Sequence, residues 1–169
     1  MLSLLIVFLI PVTTELSAAI YLEPTVQFKP IMESAAIYIE YNGKILLLHR
    51  QDHIRQGGKW GCPAGKMESN ETPLQAVIRE VYEETGYEIA EQTIEFLNTF
   101  YVEYSENGHF VHHKFRAKLQ ENPAAVQLDF NEHKGFTWVR PAEALQMNLV
   151  QDEDFCIKVT YFSENLEDL

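Results

Sequence analysis

The apolar positions of this chain recur at two periods, and their order predicts the elements. Residues 35–41 and 44–49 are apolar-rich runs joined by Asn42-Gly43, the strongest short-range signal for a β-hairpin. Residues 51–65, QDHIRQGGKWGCPAG, are rich in Gly and polar residues and read as loop. A helical period follows: Leu74, Val77, Ile78 and Val81 fall on one face. Thr72 supplies an N-cap, Pro73 fits the first helical position, Gln75 completes a capping box, and Gly86 stops the helix. Beyond it, residues 93–104 read as a long strand, Asn107-Gly108 as a turn, 110–119 as a returning strand and 121–131 as an acidic loop. Residues 135–139 read as a short strand. Pro141 opens a helix through Met147, and 152–162 form another with Asp152 as cap. Upstream, Val26 and Phe28 alternate like a short strand before Pro30. This order is not a strict βαβ alternation; it fits the α/β class, as an α/β/α sandwich around a mixed β-sheet.

The helix carries the chemistry. At about 100° per residue, Glu80, Glu83 and Glu84 share an arc rotated away from the apolar stripe. Carboxylates that converge repel each other, so a cation must sit among them or their pKa values rise. An all-oxygen cluster suits a hard divalent ion such as Mg²⁺ or Mn²⁺, which binds phosphate oxygens on its open side. An acidic helix face is ordinarily just a solvated one. Arg79 within the same turn and the Gly-rich approach GGKWGCPAG weigh against that here.

Residues 65–87, GKMESNETPLQAVIREVYEETGY, resemble the Nudix box, G-x5-E-x7-R-E-U-x-E-E-x-G-U, where U is bulky and apolar. Gly65, Glu71, Arg79, Glu80, Val81, Glu83, Glu84 and Gly86 match in register. Tyr87 takes the last position, usually aliphatic. The resemblance implies the Nudix fold and metal-dependent hydrolysis of a nucleoside diphosphate linked to a moiety X, giving a nucleoside monophosphate and phosphorylated X. It assigns metal ligation to Glu80, Glu83 and Glu84 with the Gly65 carbonyl, and an orienting role to Arg79 and Glu71. Nudix enzymes often place a further Glu in a later loop, and Glu132, just before GFTWV, is the candidate. Glu80 and Glu132 are the two candidates for general base. Two rival readings are a Nudix-fold domain that binds or senses a nucleotide without turnover, and a Nudix-fold isoprenoid diphosphate isomerase. The intact REVYEE argues against the first; no catalytic cysteine context surrounds Cys62, which argues against the second.

Substrate contacts are less determined. Arg50, Arg55 and Lys59 can meet a phosphate but are as easily solvated, and Trp60 can pack or stand beside a base. Tyr104 lies near where dinucleoside polyphosphate hydrolases of the family carry a Tyr, although packing is the commoner explanation for a Tyr in an aromatic strand. Asn148 is a speculative base contact. His109, His112, His113 and His133 read as ordinary residues; a regular strand sends His112 and His113 to opposite faces, so they cannot chelate together.

Charge narrows the partners. A net charge of −12 over 169 residues excludes a general grip on duplex nucleic acid. It fits phosphate contacts made through bound cations to a small nucleoside diphosphate derivative. Cys62 and Cys156 are too few for a disulfide framework and suit a cytoplasmic protein. Residues 2–10 form an apolar run too short to span a bilayer, which takes roughly 20 residues. It has no preceding Lys or Arg, although Ser17-Ala18-Ala19 resembles a signal cleavage site. Residues 1–24 are therefore read as an N-terminal extension and 25–169 as the catalytic domain, with Met32 a possible internal start. Oligomeric state is open, a homodimer included.

Overall fold

The computed structural model describes residues 18–24, 27–104, 108–121 and 123–163. Strand β1 (Ala18–Tyr21) lies in the stretch set apart as an extension and pairs antiparallel with β6 (Ile94–Tyr104). Strands β2 (Pro30–Tyr41) and β3 (Lys44–Arg50) form the expected hairpin. Asn42 (φ 49°) and Gly43 (φ 70°) both take positive φ, as a type I′ turn requires. β2 starts at Pro30 itself, where a missing N–H is tolerated. Phe28 precedes the strand, and Val26 lies outside the described residues.

The Gly-rich stretch read as loop yields two short strands, β4 (Trp60–Gly61) on β3 and β5 (Ala64–Lys66) on β2. Their ladders are only two and three residues long, too short for a periodic signal. β7 (Gly108–Lys118) pairs antiparallel with β6 and parallel with β2, which makes the sheet mixed. Asn107, the other half of the second turn, lies outside the described residues. β8 (His133–Val139) starts two residues before Gly135 and pairs with β3.

Helix α1 (Pro73–Thr85) has both bonds of the capping box, Thr72 with Gln75, and ends on Gly86 at φ 72°. The predicted helix after Pro141 is cut to α2 (Pro141–Ala144). Gln146 and Met147 close onto the carbonyls three residues back, tightening the chain into turns. In α3 (Glu153–Tyr161), Asp152 holds the N-cap position but in the left-handed region (φ 69°), with no side-chain cap bond.

The sheet is buried on both faces, which is why β2 reads as the unbroken run AAIYI. Alternate residues separate two cores. Ala35, Ile37, Ile39, Leu46 and Leu48 pack against Ala76, Val77 and Val81 of α1. Ala36, Tyr38, Ile45 and Leu47 pack against Ala144 and Ile157 of α2 and α3. The result is the expected sandwich, with the site where the β5 loop crosses the C-terminal half of α1. Among the described residues no helix is long and apolar enough to cross a membrane.

Candidate active site

The fork of Arg79 joins the loop to the helix. Its Nε and Nη2 donate to the two carboxylate oxygens of Glu71 at 2.7 and 2.9 Å. Nη2 also donates to the Lys66 carbonyl at 3.0 Å, and Nη1 to Glu80 at 2.7 Å and Glu83 at 3.0 Å. These bonds, with a backbone N–H from Glu68, hold Glu71 down to about pKa 2.

Gly65 lies against this assembly. A Cβ there would sit 1.9 Å from Oε1 of Glu80, so only glycine lets the loop backbone approach the carboxylate. Gly65→Ala is expected to fold, because the clashing atom ends a flexible side chain. The displaced carboxylate should slow turnover on the order of tenfold. Matched circular dichroism with a reduced initial rate would show this; an unchanged rate would place Glu80 outside the reacting geometry.

The three helix carboxylates are not equivalent. Glu83 is exposed, Glu80 half-buried, and Glu84 only 3% exposed. The expected arc rotated away from the core thus holds for Glu83 and not for Glu84, which is covered by β5 and accepts the Ala64 N–H at 3.0 Å. Burial pushes the Glu84 pKa well up. The Ala64 bond opposes this, and Glu80 and Glu132 add to the rise. Glu80 is raised too, chiefly by burial, against the pull of Arg79.

Glu132 stands in the turn before β8, as predicted. Ligand atoms of Glu84, Glu132 and His133 lie within 4.8 Å of one another. His133, read as ordinary, therefore belongs to the site: its Nε2 is 3.7 Å from Oε1 of Glu84, and its buried Nδ1 has no hydrogen-bond partner. Burial pushes its pKa down to about 4, Arg50 adding to the fall and Asp129 opposing it, which leaves a neutral imidazole near pH 7. Its position two residues before Gly135 in a strand that pairs with Arg50 was the available signal. Clustered, mutually repelling carboxylates beside a neutral imidazole are a donor set that fits a divalent cation.

A cavity of about 240 Å³ opens beside this cluster, between the sheet and α3. Arg50, Arg55, Gly65 and His133 line it, together with Phe100, His112 and Glu153. Trp60 does not line it and stacks on His49 at 4.2 Å between centroids, so packing is its observed role. Asn148 and Lys59 also lie off its wall. Tyr104 ends β6, and its side chain is outside the described residues. His112 and His113 face opposite ways as expected: His112 bonds Ser34 at 2.8 Å, His113 bonds Thr99 and Glu33. Burial lifts the Cys62 thiol to about 12, which removes it as a nucleophile near neutral pH.

The NUDIX domain family matches residues 31–157, three-quarters of the chain and all of the site just described. The chain belongs to the Nudix family. A CTP pyrophosphohydrolase of Escherichia coli (strain K12) is 34% identical over 120 residues, covering 70% of this chain and 83% of that protein. A dihydroneopterin triphosphate diphosphatase of Haemophilus influenzae is 30% identical over 139 residues, covering 75% and 84%. The crystal structure of a MutT protein from Methanosarcina mazei Go1 superposes with a TM-score of 0.66 at 26% identity, covering 83% of this chain and 99% of that one. The NUDIX domain of Shewanella oneidensis NrtR, solved with ADP ribose, gives 0.62 at 27% identity, covering 78% and 86%. This Nudix chain is a hydrolase of acid anhydrides that acts on diphosphate linkages of nucleotide derivatives.

The partly buried His112 is expected to make this Nudix domain sensitive to acid. Burial, with Lys114 and His113 adding, lowers His112 to about 3 from 6.5. Between those values the unfolded chain binds the proton and the folded chain does not, so stability is full above 6.5 and falls as pH drops. The contribution is at most ~1.4 kcal/mol per pH unit. His112→Asn, which can still bond Ser34, should lose less stability between pH 7 and 5 in denaturant titrations. An equal loss in both proteins would refute the assignment.

Proposed function

We propose that this Nudix hydrolase cleaves a nucleoside triphosphate, a nucleoside diphosphate whose X is phosphate, into a nucleoside monophosphate and pyrophosphate, with Mg²⁺ as the physiological metal and Mn²⁺ as a substitute. The observation that carries this is a cavity sized for a single ring system whose wall includes Gly65 and His133, the residues against which Glu80, Glu84 and Glu132 gather. At about 240 Å³ the cavity is smaller than the ~300–1,000 Å³ usual for drug-sized ligands, so a base fits and the phosphates remain at the mouth. The activities named for the two relatives support a triphosphate.

Glu80, Glu83, Glu84 and the Gly65 carbonyl would hold the metal, which when bound neutralises phosphate charge and polarises the phosphoryl oxygen. Arg79 and Glu71 fix the loop that carries Gly65. Arg50 and Arg55, on the cavity wall, would meet the outer phosphates. Glu132 stands opposite the helix carboxylates, where it can take the proton of the attacking water; we prefer it to Glu80, which is committed to Arg79. Neutral His133 lies 3.7 Å from the Glu84 carboxylate, where it can join the metal's ligands. The two free buried thiols fit a reducing compartment such as the cytoplasm.

The test is a panel of nucleoside triphosphates and nucleoside diphosphate derivatives after chelation, with Mg²⁺ or Mn²⁺ restored stepwise. Activity should be absent with chelator, return with either ion, and be greatest on a triphosphate. Binding without turnover under every metal condition would return the chain to the nucleotide-sensing reading.

A further inference from the structure

The turn that carries Glu132 is held from two sides, by Asp129 within it and by Gln51 across from it. Asp129 Oδ1 accepts from the Asn131 N–H and from Asn131 Nδ2, each at 2.9 Å. The Asp129 carbonyl accepts from the N–H groups of Glu132 at 3.1 Å and His133 at 2.8 Å. These bonds use the donors of the turn. Two of its carbonyls, those of Phe130 and Glu132, are met by Gln51. The Gln51 N–H donates to the Glu132 carbonyl at 2.8 Å, and the side-chain Nε2 donates to the Phe130 carbonyl at 2.9 Å.

Strand β8 leaves this turn through a bulge. His49 lies opposite Gly135 and Arg50 opposite His133, so Lys134 is the extra residue. Side chains alternate along a strand, and a shift of one residue changes the face on which they fall. Leu48 packs towards α1, and Arg50, two residues on, keeps that face. The bulge gives His133 the same face, where its Nε2 comes 3.7 Å from Glu84 of α1. Without Lys134 as the extra residue, His133 would share the face of Gly135 and His49, on the far side of the sheet. The ladder between β3 and β8 ends at the Arg50–His133 pair. The placement of Glu132 beyond it therefore rests on Asp129 and Gln51.

We infer that Gln51 is a positioning residue for hydrolysis: its side-chain amide fixes the turn so that the Glu132 carboxylate stands where it takes the proton of the attacking water. This rests on the reading that Glu132 is the general base. The N–H bond of Gln51 is common to every residue but proline, so the Nε2 bond is what the glutamine itself contributes. Gln51 does not line the cavity, so substrate binding does not depend on it directly. A displacement of about 1 Å at a reacting group costs on the order of a hundredfold. Loss of one bond among several in the turn should cost less, roughly tenfold in kcat.

Gln51→Met keeps the length of the side chain and removes the donor without adding charge. It is compared with wild type in the full chain with Mg²⁺, on the nucleotide turned over fastest in the panel above. The kcat should fall about tenfold with KM within about twofold, and circular dichroism and Tm should match wild type. A cycle with Glu132→Gln separates positioning from a general structural effect. If Gln51 acts through Glu132, Gln51→Met should change kcat by less than about twofold in the Glu132→Gln background. An unchanged kcat in Gln51→Met, a raised KM with kcat retained, or the same fold loss in both backgrounds overturns the assignment. Slow turnover in Glu132→Gln without loss in Gln51→Met would keep the base and strike Gln51 alone. Near wild-type turnover in Glu132→Gln would remove Glu132 as the base, and the role of Gln51 with it.

Discussion

Glu84→Gln is expected to reduce turnover by roughly a thousandfold while leaving the fold intact, at the upper end of what loss of one preorganised electrostatic group costs. Glu84 is the most buried carboxylate of the cluster, and its charge is opposed by burial and by Glu80 and Glu132. The Ala64 N–H and Arg50 offset this only in part, and a bound cation would make that charge favourable. The amide keeps an acceptor for the Ala64 N–H, so β5 stays in place, but it offers no negative charge to a metal. In chelator the variant should melt no lower than wild type, and higher if repulsion is the dominant strain. Rates at limiting Mg²⁺ and thermal melts in chelator check both halves. Near wild-type turnover at limiting metal would remove Glu84 from the ligand set.

Arg79→Lys should slow the reaction by about a hundredfold with most metal affinity retained, because it misplaces ligands without deleting one. A lysine is a point charge and cannot reproduce the parallel bonds to both oxygens of Glu71. It would also release the Lys66 carbonyl, the loop residue next to Gly65. Glu71→Gln should cost less than Glu84→Gln, because Glu71 faces Arg79 and not the cluster. The two changes break the same fork, so their effects on ln kcat should be strongly non-additive in a double-mutant cycle. Additive effects, together with abolished metal binding in Arg79→Lys, would contradict the clamp.

The helix and its clamp were legible because their signals are local. Thr72, Pro73, Gln75 and Gly86 act on their own backbone, and Glu71 and Arg79 stand at a spacing that the loop-to-helix turn brings together. Asn42-Gly43 likewise fixes its own hairpin. What sequence could not reach depends on packing across elements. Glu84 is buried because β5 covers it, and β5 is too short to leave a pattern. His133 enters the site through the register of β8 on β3. Lys114 reads as the polar member of an alternating strand, yet its face is covered by α3. The helix after Pro141 fails for the same reason: the turns at Gln146 and Met147 end it where Asn148 accepts the Trp60 N–H.

The most direct test of the central claim is the mass of the products formed from CTP and Mg²⁺ in ¹⁸O-labelled water. CMP and pyrophosphate are expected, one of them carrying a single ¹⁸O, with no product when Mg²⁺ is chelated. CDP and inorganic phosphate as the first products, or unlabelled products, or equal turnover in chelator, would contradict metal-dependent attack of water on the diphosphate linkage by this site.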